Sequence, residues 1–303
     1  MARDFIAINW GSSNFRSFLL DDNGVVRDAF AEPAGIGSLD KAGMQAQIAR
    51  LAARWPDAGM IYACGMVGSN VGWEDAGYAD CPIGLEELAL RLHATTIADC
   101  AMYIVPGLAC RRAVDHAPDI MRGEETELFG LLRAGRLPQA GIVALPGTHG
   151  KWVRIEGGKV QEFMTAMSGE IFDRLTAAGM LASVVAAPAV IGTAFNAGVD
   201  AGSRRQPGLG TALFGVRARV IRGDLARGDA ASYLRGLLIG SEIADARSIY
   251  PLEGSVTLVG SAPVCALYAA ALAHVGIGSQ AVDAADATAQ GFAGIHAARR
   301  QLA

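Results

Sequence analysis

Two short segments rich in glycine and small polar residues lie between apolar runs, about half the chain apart. The first contains Gly11, Ser12 and Ser13, and the second contains Gly147 and Thr148. Backbone N–H groups and small side chains at a hairpin tip allow phosphate oxygens to approach closely. His149 and Lys151 extend the second segment. A P-loop is absent, because Gly150 and Lys151 would need a glycine at position 145, which is Leu145, and a hydroxyl at position 152, which is Trp152. Nucleotide binding would therefore need another scaffold.

Three glutamates occupy the first turn of a predicted helix in MRGEETELFG: Glu124, Glu125 and Glu127. Negative charge is favourable near a helix N-terminus, so capping alone would explain them. The alternative is that one of them accepts a proton from a substrate hydroxyl or helps to hold magnesium. Neighbouring like charges raise the pKa of one carboxyl group, which favours a role as a base.

A third segment, CGMVGSNVGW, is a glycine-rich loop after a predicted buried strand. Amide and hydroxyl groups bind sugar hydroxyls, and an aromatic ring supplies an apolar wall, so the loop suits a polyhydroxylated ligand. Arg16 and Arg122 are candidates to pair with carboxylate or phosphate groups. An ordinary surface loop and solvated arginines are the alternatives. The loop residues that could contact such a ligand are Met66, Ser69, Asn70 and Trp73.

Two further positions carry weaker signals. Gly260 and Ser261 lie between an apolar strand and a helix, where N–H groups and the helix dipole could receive an anionic or polar ligand, although packing alone also produces such turns. His149 could act as a base. No serine or cysteine elbow and no HExxH motif accompanies it, so a catalytic triad and a zinc site are disfavoured.

The composition excludes several classes of protein. Half of the residues are hydrophobic (51%), which excludes a disordered chain. The net charge is −4 and there is no basic stripe, so no nucleic-acid partner is expected. The five scattered cysteines include no CxxC pair, which argues against a disulfide framework or zinc site. The opening residues lack a signal peptide, and no apolar run is long enough to cross a bilayer. A cytoplasmic protein without membrane contact is expected.

The elements that must position these residues follow the same order in both halves. FIAINW and FRSFLL predict a hairpin with a third strand near Val25, and GIVALPGTHGKWVRIEGGKV repeats that pattern. Alternating helices and strands follow each time, including one helix across GLEELALRLHATTI. We therefore predict two α/β domains, residues 1–138 and 139–303, with a hinge near Pro138. Internal duplication and two unrelated hairpins are equally compatible with the pattern.

Seven segments in order resemble the 2-dehydro-3-deoxygalactonokinase family. That family belongs to the actin and hexokinase superfamily of phosphotransferases. The resemblance therefore implies two related ribonuclease-H-like domains, with ATP and a sugar acid in the cleft between them. The segments are IAINWGSSNFR, GMVGSNVGW, IVPGL, MRGEETELFG, LPGTHGKWV, MSGE and SYLRGLLIGSEIADAR.

The resemblance implies transfer of the ATP γ-phosphoryl group to the 6-hydroxyl of 2-dehydro-3-deoxy-D-galactonate, with Mg²⁺, in galactonate catabolism. Residues 11–13 would form the first phosphate loop beside the sugar-acid site in the N-terminal domain. Residues 147–149 would form the second phosphate loop, and residues 260–261 would lie close to the adenosine, in the C-terminal domain. The base would be Glu124 and, after it, Glu125. A homodimer is expected by analogy alone.

Two positions depart from the family pattern. The first phosphate loop of the superfamily usually begins with aspartate, which helps to hold Mg-ATP through water, and this chain has Asn9 there. The second loop usually has a small polar residue before its lysine, where this chain has Gly150. Asn9 and Glu124 are the candidate metal ligands.

Asn9 leaves several alternatives open. They are slower turnover, a metal held by Glu124 or Glu125, and a non-catalytic sensor that binds a sugar acid or nucleotide on the kinase scaffold. A kinase for a related sugar acid, such as 2-dehydro-3-deoxygluconate, is a further alternative, because one inverted hydroxyl changes only a few hydrogen bonds.

Overall fold

The computed structural model describes residues 4–185, 188–252 and 254–302. The first half contains β1 (Phe5–Trp10), β2 (Phe15–Leu20), β3 (Val26–Glu32), α1 (Lys41–Arg54), β4 (Ile61–Gly65), β5 (Tyr78–Asp80), α2 (Leu85–Ala89), β6 (His93–Ile97), β7 (Cys100–Ile104), β8 (Gly107–Arg111), β9 (Pro118–Met121) and α3 (Glu124–Arg133). The second half contains β10 (Ala140–Leu145), β11 (Gly150–Glu156), β12 (Lys159–Ala166), α4 (Ser168–Ala177), α5 (Gly179–Ala182), α6 (Thr193–Ser203), α7 (Leu209–Arg222), α8 (Ala230–Ile249), β13 (Ser255–Val259), α9 (Ala262–His274), β14 (Gly278–Val282) and α10 (Ala287–Leu302).

The two main sheets have the same strand order. One runs β3-β2-β1-β4-β7 with β6 added at its edge, and the other runs β12-β11-β10-β13-β14. In each sheet the first strand in the chain lies beside the fourth strand in parallel, β1 with β4 and β10 with β13. The prediction of two related α/β domains is confirmed by this shared topology, which favours internal duplication over two unrelated hairpins.

The chain divides into two compact units whose boundary differs from a simple cut at residue 138. The first unit comprises Met1–Ala140, Ile155–Glu162 and Ala284–Ala303, and the second comprises Gly141–Arg154 and Phe163–Asp283. Helix α10 therefore belongs with the first unit. It packs closely on α3, since a Cβ atom added at Gly130 would lie 1.9 Å from the Ala287 carbonyl oxygen. This approach requires glycine, and it brings α10 to the helix that carries the predicted base.

One helix prediction was wrong, and other elements were not foreseen. Helix α2 ends at Ala89, and β6 follows as an antiparallel neighbour of β7. The β-branched Thr95 and Thr96 prefer an extended strand, and pairing with β7 supplies their hydrogen bonds. Helix α6 was missed because its glycines lower helix propensity. Gly202 instead allows contact with α8, where an added Cβ would lie 2.1 Å from the Leu237 carbonyl oxygen.

The interior of each unit packs against its sheet. Trp10 on β1 and Trp152 on β11, each beside a predicted phosphate loop, are both 0% exposed. Within the described residues, no helix has the length and apolar character needed to span a bilayer.

Candidate active site

The first predicted phosphate loop is a tight turn between β1 and β2. The Gly11 N–H donates to the Asn14 carbonyl at 2.9 Å, and the carbonyls of Gly11 and Ser12 accept from the N–H groups of Ile36 and Gly37 at 3.0 and 2.9 Å. These bonds hold the tip in one shape and leave the side chains of Ser12 and Ser13 exposed. A pocket of about 310 Å³ is lined by Asn9, Gly11, Ser12, Ser13, Asn14 and Arg16.

Asn9 lies near the end of β1, between strands β2 and β4. It is directly opposite Arg16 across the antiparallel pair and opposite Cys64 across the parallel pair. Cross-strand partners have side chains on the same face of a sheet, so Asn9 and Arg16 are neighbours in this pocket. The next position of β4, Gly65, has φ +90°, and a Cβ there would lie 2.7 Å from the Trp10 carbonyl oxygen. Glycine is therefore required where the two strands end.

Helix α3 begins at this same edge. Gly123 has φ +106°, and a Cβ there would lie 3.4 Å from the Gly65 Cα. The Arg122 N–H donates to Glu124 Oε2 at 3.1 Å, and the Gly123 N–H donates to Glu125 Oε2 at 2.6 Å. Both glutamates therefore cap the chain before the helix, as the simpler interpretation of this segment expects. Capping does not separate their roles, but exposure does, because Glu125 is 0% exposed and Glu124 is only half-buried.

The protonation of the glutamates differs with their surroundings. Burial, and after it the negative charge of Glu124, raises the pKa of Glu125 to about 8. Burial and Glu124 also raise the pKa of Glu127 to about 7, against a lowering by Arg16. Glu125 is therefore mostly a neutral acid at pH 7. The expectation that a raised pKa favours a role as a base does not hold for it, because a carboxyl group that keeps its proton at pH 7 is a poor proton acceptor. Glu124 is the better placed of the two predicted bases.

The raised pKa of Glu125 predicts how stability depends on pH. The unfolded carboxyl group titrates near pH 4.5 and the folded one near 8, so between these values the folded state keeps a proton that the unfolded state has lost. The free energy of unfolding should then fall as pH rises from about 5 to 8, by up to several kcal/mol at about 1.4 kcal/mol per pKa unit. Urea unfolding at a series of pH values measures this slope.

The matched variant for this prediction is Glu125→Gln, which keeps the shape of the neutral carboxyl group and cannot titrate. Its unfolding free energy should vary much less between pH 5 and 8 than that of the wild type, with Glu127 supplying the remaining slope. Equal slopes in the two proteins would contradict the assignment of this titration to Glu125.

The predicted sugar loop is held mainly by its own backbone. Ser69 is buried, and its hydroxyl donates to the Met66 carbonyl at 2.8 Å, while the Trp73 N–H donates to the Val67 carbonyl at 2.8 Å. Asn70 is exposed, and the Lys41 ammonium lies 5.1 Å from the centroid of the half-buried Trp73 ring. Asn70 and Trp73 are thus the side chains that a ligand could reach most directly, and Ser69 shapes the loop.

Arg122 lies beneath this loop, with its side chain only 5% exposed. Its Nη2 donates to the Gly77 carbonyl at 3.0 Å and lies 3.6 Å from Asp75, and the guanidinium carbon is 4.4 Å from the centroid of the Tyr78 ring. The backbone of the same residue holds Glu124. Its position therefore suits support of the loop and of α3 better than direct contact with a substrate.

The second predicted phosphate loop, in the other unit, joins β10 to β11. Thr148 and His149 are exposed, and a Cβ added at Gly147 would meet no protein atom within 4 Å. His149 Nε2 lies 2.7 Å from Glu170 Oε2. Lys151 is 5% exposed, and its ammonium donates to the His149 carbonyl at 3.4 Å. The loop presents an exposed hydroxyl, a histidine and open space beside its glycine, which suits an anionic ligand.

Gly260 and Ser261 lie next to this loop. The parallel strands β10 and β13 end at the same edge of the sheet, and a Cβ at Gly260 would lie 3.2 Å from the Pro146 carbonyl oxygen. The structure thus brings together the site residues predicted for the second half. In the first unit it likewise brings Asn9, residues 11–13 and Arg16 to the edge where Glu124 and Glu125 begin α3.

Two interactions around these loops were not foreseen from the sequence. Glu170 contacts His149, and the pKa of Glu127 responds to Arg16. Glu127 was visible as the third acid of the GEETE segment, and Glu170 lies in the MSGE segment that contributed to the family resemblance. Their contacts join distant parts of the chain, so spacing in the sequence carries no signal for them.

Comparison with known proteins gives one consistent result. A family model described as 2-keto-3-deoxy-galactonokinase matches residues 9–295. The chain is 38% identical over 306 residues to "Probable 2-dehydro-3-deoxygalactonokinase DgoK1" of Rhizobium meliloti (strain 1021), covering 98% of this chain and 97% of the relative. It is 33% identical over 283 residues to 2-dehydro-3-deoxygalactonokinase of Escherichia coli (strain K12), covering 93% and 94%.

Solved structures agree with these relatives. A crystal structure from Sinorhizobium meliloti, whose name includes 2-dehydro-3-deoxygalactonokinase, superposes with a TM-score of 0.86 at 36% identity, covering 98% of this chain and 99% of that one. The component A of (R)-2-hydroxyglutaryl-CoA dehydratase from Acidaminococcus fermentans superposes with a TM-score of 0.51 at 12% identity, covering both chains fully. Likeness at that lower level shows the fold alone, and it agrees with the expected fold class.

Proposed function

Because the chain belongs to the 2-keto-3-deoxy-galactonokinase family, we propose that it transfers the γ-phosphoryl group of ATP to the 6-hydroxyl of 2-dehydro-3-deoxy-D-galactonate. The single observation that carries the catalytic assignment is the pair of carboxyl groups at the start of α3. Glu124 is half-buried at the edge where β1 and β4 end, and the fully buried Glu125 lies behind it. We assign proton acceptance from the sugar hydroxyl to the Glu124 carboxylate.

Each unit has a separate part in this proposal. The first unit supplies Glu124 and the sugar loop, where Asn70 and Trp73 would contact the sugar acid. It also supplies Asn9, Arg16 and the loop at residues 11–13 for phosphate. The second unit supplies the loop at residues 147–149 with Lys151, and residues 260–261 for the nucleotide. Phosphoryl transfer depends mainly on positioning and on neutralising charge, which backbone N–H groups and cationic side chains provide.

The donor atoms present suit magnesium. Asn9 offers an amide oxygen and Glu124 a carboxylate, and Mg²⁺ prefers oxygen ligands of this kind. Among residues 4–185, 188–252 and 254–302, no cluster of three or more His, Cys, Asp or Glu side chains is arranged to hold a metal ion. Phosphate oxygens and water would therefore complete the coordination. When bound, Mg²⁺ would neutralise charge on the phosphates.

Asn9→Asp should strengthen metal use. The substitution places a carboxylate at the end of β1, opposite Arg16, without changing the size of the side chain much. The Mg²⁺ concentration that gives half the maximal rate should fall about tenfold, because a charged ligand binds the ion more tightly than a neutral amide. A titration of the rate with Mg²⁺ at saturating ATP measures this.

Asn14→Asp is the control for that result. It adds the same charge to an exposed position lining the same pocket, and it should change the Mg²⁺ requirement much less. Equal effects of the two variants would show that general negative charge, and not a ligand at position 9, sets the metal requirement.

The activity itself is tested by ADP release from Mg-ATP, coupled to NADH oxidation, with a panel of 2-keto-3-deoxy sugar acids and a control without sugar. We expect the galactonate compound to give the highest kcat/KM, with the gluconate epimer lower. Phosphorylation of the gluconate epimer alone would overturn the substrate assignment. Binding of ATP or sugar acid by folded protein without any turnover would instead support the sensor.

The proposal also includes the substrates, the compartment and the oligomeric state of the enzyme. Its substrates are a small sugar acid and ATP, and we expect the reaction to take place in the cytoplasm, in a homodimer. Cell fractionation and light scattering of the purified protein test these two expectations.

A further inference from the structure

Glu242 is a buried carboxyl group that the proposed mechanism does not use. It lies in α8 and is 4% exposed. The Trp152 Nε1–H donates to its Oε1 at 2.8 Å, and the Tyr268 hydroxyl donates to its Oε2 at 2.8 Å. The Ser168 hydroxyl also donates to Oε2. Burial raises the pKa of Glu242 above its ordinary value, although the hydrogen bonds from these three donors oppose the rise. A buried carboxyl group with three side-chain donors is a tightly specified arrangement.

The three donors come from three different elements, and each element starts next to a loop predicted to bind nucleotide. Trp152 is in β11, which begins directly after the second phosphate loop. Tyr268 is in α9, which begins directly after Gly260 and Ser261. Ser168 is the first residue of α4. Glu242 therefore links β11, α4 and α9 by hydrogen bonds in the protein interior.

Gly150 shows how closely the carboxyl group approaches the loop. A Cβ atom added at Gly150 would lie 2.9 Å from Glu242 Oε1, which is nearer than real Cβ contacts. Glycine at this position therefore leaves room for the Glu242 carboxyl group. The side chain of Glu242 takes up the space that a side chain at position 150 would need.

The start of α4 carries the connection to the exposed part of the loop. The Glu170 N–H donates to the Thr148 carbonyl at 2.9 Å, and the Glu170 carboxylate holds His149. Between the two contacts, Gly169 lies so close that an added Cβ would be 2.2 Å from the Gly147 carbonyl oxygen. Any displacement of Ser168 would therefore be passed directly to residues 147–149.

We infer that Glu242 is a positioning residue, which holds the second phosphate loop in its nucleotide-binding shape through Ser168 and Trp152. The inference rests on the proposed use of that loop for ATP. Because Glu242 is buried and held by Trp152, Ser168 and Tyr268, it would act through the loop. Its effect is therefore expected in the affinity for nucleotide and not in the affinity for sugar acid.

Ser168→Ala and Glu242→Gln test the inference. Ser168→Ala removes the link to α4, and Glu242→Gln replaces one acceptor oxygen by an N–H₂ group that faces other donors. Each should raise the KM for Mg-ATP about tenfold or more, as expected when a hydrogen bond to a buried carboxylate is lost. The KM for the sugar acid should stay within about twofold, and Ser168→Thr, which restores a hydroxyl, should recover most of the ATP affinity.

Ser232→Ala is the matched control. Ser232 is a buried serine in the same helix as Glu242, and its hydroxyl accepts a hydrogen bond from the Val190 N–H at 3.0 Å. Its replacement removes one buried hydroxyl without touching the loop, so both KM values should remain unchanged. Hydrogen exchange gives a second measure, because the Glu170 amide should exchange faster in Ser168→Ala and at the wild-type rate in Ser232→Ala.

The outcomes separate the inference from the proposed function. A folded Ser168→Ala protein with wild-type KM for ATP and wild-type exchange at Glu170 would overturn the inference and leave the kinase assignment intact. If Glu242→Gln does not fold, the serine variant decides alone. If the wild type binds ATP but phosphorylates no sugar acid, the proposed function fails, and the dissociation constant for ATP then decides the inference. A wild type that binds no ATP would overturn both.

Discussion

Replacing Glu124 by Gln should lower kcat by about 10²- to 10⁴-fold, the contribution typical of a positioned general base. The variant removes the proton acceptor, and it replaces the carboxylate that would help to hold Mg²⁺ by a neutral amide. The Gln side chain keeps an amide oxygen that can accept from the Arg122 N–H, so the cap of α3 is retained. At saturating Mg²⁺ the KM values for ATP and sugar acid should change little, because the other contacts that bind them lie elsewhere. Steady-state kinetics with both substrates varied measures these effects.

Glu125→Gln is the comparison that makes the result specific. Glu125 is fully buried, and its pKa of about 8 leaves it mostly neutral at pH 7. Its amide replacement resembles the form already present, so kcat should fall by less than about tenfold. If Glu125→Gln loses more activity than Glu124→Gln while both proteins unfold at wild-type urea concentrations, the base is Glu125 and our assignment is wrong.

A Gly147→Val variant should fold normally and use ATP poorly. A Cβ atom at Gly147 meets no protein atom within 4 Å, and the residue is not in the left-handed region of φ. The Cβ atom of valine therefore meets no protein atom, and the backbone conformation at this position is open to a residue with a side chain. Its methyl groups would enter the space that the proposal assigns to a phosphate group, and we expect kcat/KM for ATP to fall about 10²-fold, the scale of a misplaced reacting group.

The control for Gly147→Val is Gly228→Val. Gly228 is exposed, and a Cβ there also meets no protein atom within 4 Å, but it lies far along the chain from either predicted loop. Its kinetics and urea midpoint should match the wild type. Normal use of ATP by Gly147→Val would remove residues 147–149 from the phosphate site, whereas a lowered urea midpoint would show that the space beside Gly147 is needed for folding.

Several features could be predicted from the sequence because short-range physical chemistry decides them. The hairpins β1–β2 and β10–β11 follow from apolar runs that flank turn-forming residues. Helices α1 and α3 follow from apolar periodicity, and α1 also has a capping residue, Asp40, whose side chain accepts from the Gly43 N–H. The loops at residues 11–13 and 147–149 were placed correctly as connections because a loop position depends on the elements beside it.

Only the tertiary structure decided how these parts differ in role. Two adjacent glutamates in one helical turn are alike in the sequence, and burial against the sheet separates a neutral Glu125 from a half-exposed Glu124. Residues 93–97 form a strand because they pair with β7. Helix α10 belongs to the first unit because it packs closely against Gly130 of α3, which is far from it in the sequence. Burial and long-range pairing arise only once the chain has folded, so local patterns carry no record of them.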